Sequence, residues 1–139
     1  NPTRAELERA LSALEGGERG VITATGMAAV DLVLNLVNPG DTVIAPHDCY
    51  GGTFRLLSAR ARRGHFAVDF VNQTDPAALA AALLKKPRLV FIETPSNPLL
   101  RITDIAATAA AATAAGAIVV ADNTFLSPAL QQPLSLGCD

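Results

Sequence analysis

Ala117-Ile118-Val119-Val120-Ala121-Asp122-Asn123-Thr124-Phe125 joins an apolar run of strand length to a polar turn. Ile118, Val119 and Val120 are β-branched, which predicts a strand whose carboxyl end carries Asp122. In an open parallel sheet, ligands bind at that end. A lone carboxylate there can pair with a cationic ring nitrogen, bind a metal, or cap the following turn.

Working outward, the same alternation of short strands and helices recurs. Thr3-Arg4-Ala5-Glu6 has the spacing of a capping box, and Leu7, Ala10, Leu11 and Leu14 repeat at helical intervals up to Gly16-Gly17. Gly20 to Ala24 reads as a strand. Thr25-Gly26-Met27 then opens a helix through Val37 that is apolar nearly all round, the pattern of a buried helix. Further strands are predicted at Thr42 to Ala45, Phe66 to Val71 and Leu89 to Ile92, with a helix from about Thr53 to Arg62 between the first two. Asp75-Pro76 starts an alanine-rich helix that closes at Lys85-Lys86-Pro87. Thr103 or Asp104 caps a second alanine-rich helix, which Gly116 ends. Five strands alternating with helices predict an α/β domain with a largely parallel sheet. Leu136 to Asp139 reads as the approach to a further strand.

The composition limits what such a domain does. Half of the 139 residues are hydrophobic, enough for one domain with a substantial core, and the net charge of -2 offers no footprint for nucleic acid or a membrane surface. No apolar stretch reaches membrane-spanning length, and the first residues do not resemble a signal peptide. These features predict a cytoplasmic protein whose partners are small molecules or like subunits. Cys49 and Cys138 lack the spacing of a zinc site or a disulfide framework.

Parallel strands place their carboxyl ends on one rim, so Gly26-Met27, Tyr50-Gly51-Gly52 and Asp122 converge there. The helix start at Gly26 and Met27 offers unpaired N–H groups to an anion such as phosphate, although a glycine turn of this kind often does no more than begin a helix. Neither G-x-G-x-x-G nor G-x-x-x-x-G-K-[ST] occurs. Tyr50 can stack on a planar ligand or lie half-buried with its hydroxyl bonded. Arg55 can bind a carboxylate or face solvent. Glu93 and Asp122 can form a carboxylate pair for acid-base work or for a metal, but no histidine accompanies them. His47-Asp48-Cys49 makes a poor nucleophile, because neighbours in an extended chain point to different sides.

Taken together and in order, Asn1-Pro2-Thr3-Arg4, Leu14-Glu15-Gly16-Gly17, Thr25-Gly26-Met27-Ala28-Ala29, Asp48-Cys49-Tyr50-Gly51-Gly52-Thr53, Glu93-Thr94-Pro95-Ser96-Asn97-Pro98 and Asp122-Asn123-Thr124-Phe125 resemble the Cys/Met-metabolism family of pyridoxal-phosphate enzymes, the trans-sulfuration enzymes. The resemblance implies the large domain of a fold type I transferase, with residues 1–139 forming its central part. The cofactor-linking lysine segment and the C-terminal domain are expected outside these residues. It further implies that backbone N–H groups of Gly26 and Met27 hold the cofactor phosphate. Tyr50 would stack on the ring and assist proton transfer, and Asn97 would contact the ring oxygen and the substrate carboxylate. Thr124 would line the ring's far side, Arg55 would reach a distal substrate carboxylate, and Asp122 would pair with the pyridinium nitrogen. The implied reaction is γ-replacement on an O-acylated homoserine by a thiol, carried out by a homotetramer. Lys85 and Lys86, the chain's lysines, do not match the family's lysine, and Thr25 and Cys138 stand where relatives commonly carry serine and alanine.

Overall fold

The strand ending at Asp122 forms as expected, and it lies at one edge of a four-stranded sheet in a computed structural model that describes residues 1–139. The strands are β1 (Thr42–Pro46), β2 (Ala67–Val71), β3 (Leu89–Glu93) and β4 (Ile118–Asp122), in the order β2-β1-β3-β4. Every pairing is parallel. The helices are α1 (Pro2–Glu15), α2 (Gly26–Val33), α3 (Gly51–Arg62), α4 (Pro76–Leu83), α5 (Ile105–Ala114) and the short α6 (Ser127–Leu130).

Side chains alternate across β1 and β3 and divide the core in two. Val43, Ala45, Leu89 and Phe91 pack with Val30, Leu34 and Leu57 on one face. Ile44, Val90, Ile92 and Val119 pack with Leu79, Ile105, Ala109 and Ala112 on the other. Both faces of the central strands are therefore covered, which is why Leu89 to Ile92 reads as an unbroken apolar run. The alanines of α5 that look low in complexity present a small-residue face to the sheet, with Ala112 fully buried.

Several local expectations are corrected. The first helix is capped by Asn1, whose Oδ1 accepts from Thr3 N at 3.0 Å, and Pro2 opens its first turn; the capping box at Thr3 does not form. The expected strand at Gly20 to Ala24 is absent. α1 bonds its central residue instead: Ile22 N donates to Glu8 Oε1 at 3.1 Å, and Ile22 O accepts from the Arg4 guanidinium at 2.7 Å. The apolar helix beginning at Gly26 leaves α-geometry after Val33 and continues as a 3₁₀ turn over Leu34–Leu36. It is not buried all round, since Leu32 and Leu36 remain exposed along with Leu7 and Leu14 of α1. Leu136 to Asp139, read as the approach to a further strand, ends with Asp139 N donating to Val119 O beside β4.

Gly20 meets α1 without room for a side chain, because a Cβ there would lie 2.5 Å from the carbonyl oxygen of Glu8. Gly20→Ala is expected to lower stability by about 1–2 kcal/mol, read from the urea midpoint. An unchanged midpoint would show that this segment does not pack on α1.

Candidate functional site

The chain order reverses direction between β1 and β3: β2 lies on one side of β1, and β3 and β4 lie on the other. A crevice opens outside the carboxyl ends of strands at such a reversal. Here it is a cleft of about 300 Å³ lined by Gly26, Met27, Tyr50, Asn97, Asp122 and Thr124. Tyr50 and Asp122 reach it from the ends of β1 and β4, as the strand-end argument expects, whereas Gly26 and Met27 reach it from the start of α2 with no strand before them. Arg55 is not among the lining residues; it is exposed on α3, with its guanidinium lying over Gly51.

Each wall has a local cause. Thr25 caps α2, its Oγ1 accepting from Ala28 N at 3.1 Å. Gly26 N and Met27 N find no acceptor in the chain, and a Cβ at Gly26 would meet nothing within 4 Å. This helix start therefore presents two free donors and an open approach, which fits a phosphate. Thr53 Oγ1, also on the cleft wall, is buried without a partner. The donor set and the apolar walls from Met27, Val30 and Phe125 together suit an anionic, planar cofactor.

Asp122 fills the capping role open to it with one oxygen and leaves the other unbonded. Its Oδ1 caps the following turn, accepting from Thr124 N at 3.0 Å and from the Thr124 hydroxyl. Its Oδ2 accepts no hydrogen bond within the chain and is free to serve a ligand. Thr124 thus both lines the cleft and orients the carboxylate.

Glu93 is the residue that sequence reasoning placed but did not understand. It ends β3 in register with Asp122 on β4, and it is buried. Its Oε2 accepts from Tyr50 N at 2.8 Å, and its Oε1 accepts from Asn97 N at 2.9 Å and Tyr50 N at 3.1 Å. Burial pushes its carboxyl above the usual range, the two backbone donors oppose that, and the charges of Asp122 and Asp48 add to it. With its oxygens committed to backbone donors, it is not the free acid-base or metal partner of Asp122. No cluster of three or more His, Cys, Asp or Glu is arranged to hold a metal ion. The only clue in the sequence was an acidic residue ending an otherwise apolar strand.

Glu93 also corrects the start of α3. Tyr50-Gly51-Gly52 reads as a polar turn before a helix at Thr53, yet the helix begins at Gly51 with Tyr50 as its N-cap, unassisted by its own side chain. The carboxylate bonded to Tyr50 N comes from another strand.

The neighbouring polar residues hold the loop after β3. Ser96 Oγ donates to Asp48 Oδ2 at 2.7 Å and accepts from Arg101 N at 3.2 Å. His47 is directed to Val71 O and the Arg101 guanidinium. Cys49 is buried, and its thiol is pushed up to about 12, by burial first and by the charge of Glu93 second. It has no activating base, in keeping with the discounted nucleophile reading. At pH 8, iodoacetamide is expected to leave Cys49 unmodified in the native protein and to label it in denaturant. Native labelling at Cys49, detected by peptide mass spectrometry, would contradict this environment.

Lys85 pairs with Asp69 at 2.6 Å, and neither Lys85 nor Lys86 lines the cleft. Both follow α4 and precede β3, which puts them at the amino-end rim of the sheet. No helix is long and apolar enough to cross a membrane.

Comparison with known proteins agrees with this geometry. The model of the family described as Cys/Met metabolism PLP-dependent enzyme matches residues 1–139. Cystathionine gamma-synthase of Escherichia coli (strain K12) is 56% identical over 140 residues, covering 100% of this chain and 36% of that protein. Cystathionine gamma-lyase of Bacillus subtilis (strain 168) is 42% identical, covering 100% of this chain and 37% of that protein. The crystal structure of cystathionine gamma synthase from Xanthomonas oryzae pv. oryzae in complex with cystathionine superimposes with a TM-score of 0.98 at 60% identity, over 100% of this chain and 36% of that one. The chain therefore spans about a third of the length of the relatives it matches. A family match over the whole chain, high identity and near-identical backbone geometry lead to one conclusion: this chain belongs to the Cys/Met-metabolism family of pyridoxal-phosphate-dependent enzymes.

Proposed function

We propose that residues 1–139 form the central part of the cofactor domain of a γ-replacement enzyme. The full-length protein would join O-succinyl-L-homoserine and L-cysteine to give cystathionine and succinate. The observation that carries this reading is the single cleft in which free N–H groups of Gly26 and Met27, Tyr50, Asn97 and the free oxygen of Asp122 meet. The 56% identity to a cystathionine gamma-synthase supports the choice of reaction.

Pyridoxal phosphate bound here supplies an electron sink for carbanion chemistry at an amino-acid substrate. The residues divide the work of holding and tuning it. Gly26 and Met27 donate backbone N–H bonds to the phosphate. Asp122 keeps the ring nitrogen protonated by placing a negative charge beside it, held in orientation by Thr124. Tyr50 stacks on the ring and moves protons at the substrate amine, and Asn97 binds the ring oxygen and the substrate carboxylate. Arg55, outside the cleft, reaches a distal carboxylate of the substrate. The lysine that links the cofactor, and the C-terminal domain, belong to the protein outside these residues. The assembly is a homotetramer working in the cytoplasm on small amino-acid substrates.

The competing reading is a lyase of the same family, a cystathionine or methionine γ-lyase. It is favoured by the 42% identity to a cystathionine gamma-lyase over the same share of chain. A steady-state assay of the full-length protein with O-succinylhomoserine and cysteine separates the two. Release of succinate with formation of cystathionine is expected. Cleavage of cystathionine without condensation would replace the synthase reading by the lyase one.

A further inference from the structure

We propose that Glu93 is the positioning residue of the cleft: its buried carboxylate clamps the loop after β1 to the loop after β3, setting where Tyr50 and Asn97 stand opposite Asp122. The inference rests on the reading that this cleft receives pyridoxal phosphate, and it assigns a task to a residue that needs no contact with the ligand.

Topology creates the need. β1 and β3 are neighbours at the point where strand order reverses, so their following loops diverge around the crevice. Tyr50 comes from one loop and Asn97 from the other, and each faces the cleft. Glu93 binds the backbone of both, with bonds of 2.8 and 3.1 Å to Tyr50 N and 2.9 Å to Asn97 N. The side chain is 5% exposed, so water competes little for these bonds, and bonds from backbone N–H to a carboxylate are stronger than neutral ones. Ser96 and Asp48 form a second tether between the same loops at 2.7 Å, but it attaches one residue away from Asn97 and two away from Tyr50. Only Glu93 holds the two cleft residues by their own amides.

A carboxylate suits this position for a specific reason. Both oxygens face N–H groups here, Oε2 meeting Tyr50 N and Oε1 meeting Asn97 N and Tyr50 N, and an ionised carboxylate has no donor to offend either. Gln at the same position retains size and shape but offers one oxygen, so its NH₂ group must face one of the two N–H groups. Asp retains the charge but is one methylene shorter and reaches one loop.

The test uses the full-length protein with Glu93→Gln and Glu93→Asp, each judged by thermal unfolding, peptide-level amide exchange, cofactor retention and kinetics. For Glu93→Gln we expect roughly tenfold faster exchange in the peptide carrying Tyr50, whose N–H meets both carboxylate oxygens and so must face the new NH₂ group, with a smaller increase in the Asn97 peptide. Turnover should fall by roughly tenfold or more with little change in KM, because misplacing groups around the reacting centre weakens transition-state contacts most. If Glu93→Gln does not fold, Glu93→Asp carries the test, with faster exchange expected in one of the two peptides. Native exchange in the variant that folds would overturn the clamp. Faster exchange with native turnover would overturn its positioning role. Should the wild-type protein bind no pyridoxal phosphate, the cofactor reading falls, while the exchange measurement still decides whether Glu93 holds both loops.

Discussion

Asp122→Asn in the full-length protein is expected to lower turnover roughly 100- to 1,000-fold while leaving the fold intact, a loss typical of removing a single preorganised electrostatic contact at a reacting centre. The substitution separates the two jobs of this side chain. Its Oδ1 accepts from Thr124 N at 3.0 Å and from the Thr124 hydroxyl, and an asparagine oxygen can keep both bonds. What disappears is the negative charge that would hold a proton on the cofactor's ring nitrogen. The thermal midpoint should therefore stay close to wild type, cofactor retention should weaken, and the pH dependence of the cofactor's visible absorption should shift toward loss of that proton at lower pH. Turnover near wild type would remove the central claim about Asp122. A collapse of the thermal midpoint would instead show that the fold depends on the carboxylate's charge, beyond the Oδ1 bonds to Thr124 that asparagine retains.

Gly52→Ala is expected to act on the cleft from behind, with turnover falling roughly 100-fold, the scale of loss that a displacement of about 1 Å at a reacting site produces. A Cβ on Gly52 would lie 2.5 Å from Cε1 of Tyr50 and 2.8 Å from the Met27 sulfur. Both neighbours line the cleft, and they come from different elements, so neither contact can be relieved without moving a wall. Gly52 lies within α3, where alanine is the better helix former, and local propensity alone would favour the substitution. The two effects predict a variant of nearly unchanged stability and poor activity. Activity within a factor of two of wild type would show that Tyr50 and Met27 have slack that their packing does not suggest.

The fold was legible wherever a local signal and the tertiary outcome agree. Val119 and its neighbours, Leu89 to Ile92 and the Thr42 to Ala45 run all became parallel strands because β-branched apolar residues suit a surface buried on both sides. Asp75 caps its helix as predicted, and of the two candidates Thr103 and Asp104 the structure takes Asp104, the carboxylates accepting from Ala77 N and Ala107 N. The failures share one cause. Gly20 to Ala24 has strand composition, but Glu8 and Arg4 of α1 take the N–H and the carbonyl of its central residue, Ile22. The apolar helix from Gly26 was expected to be enclosed, yet only one of its sides meets the sheet.

The candidate site divides in the same way. From the sequence alone came the strand ending in Asp122, the helix start at Gly26 and Met27, and the family resemblance that names Tyr50, Asn97 and Thr124 as its partners. These depend on spacing, capping and side-chain type, which are properties of short stretches. The tertiary structure alone decided that β1 and β3 are neighbours at a reversal of strand order, and hence that Tyr50 and Asn97 face one cleft while Arg55 stands outside it. It also made Glu93 a buried acceptor for two amides, 43 and 4 residues away in sequence, rather than a free partner for Asp122. A carboxylate's role depends on which donors surround it, and in a parallel sheet those donors arrive from strands that no local pattern can pair.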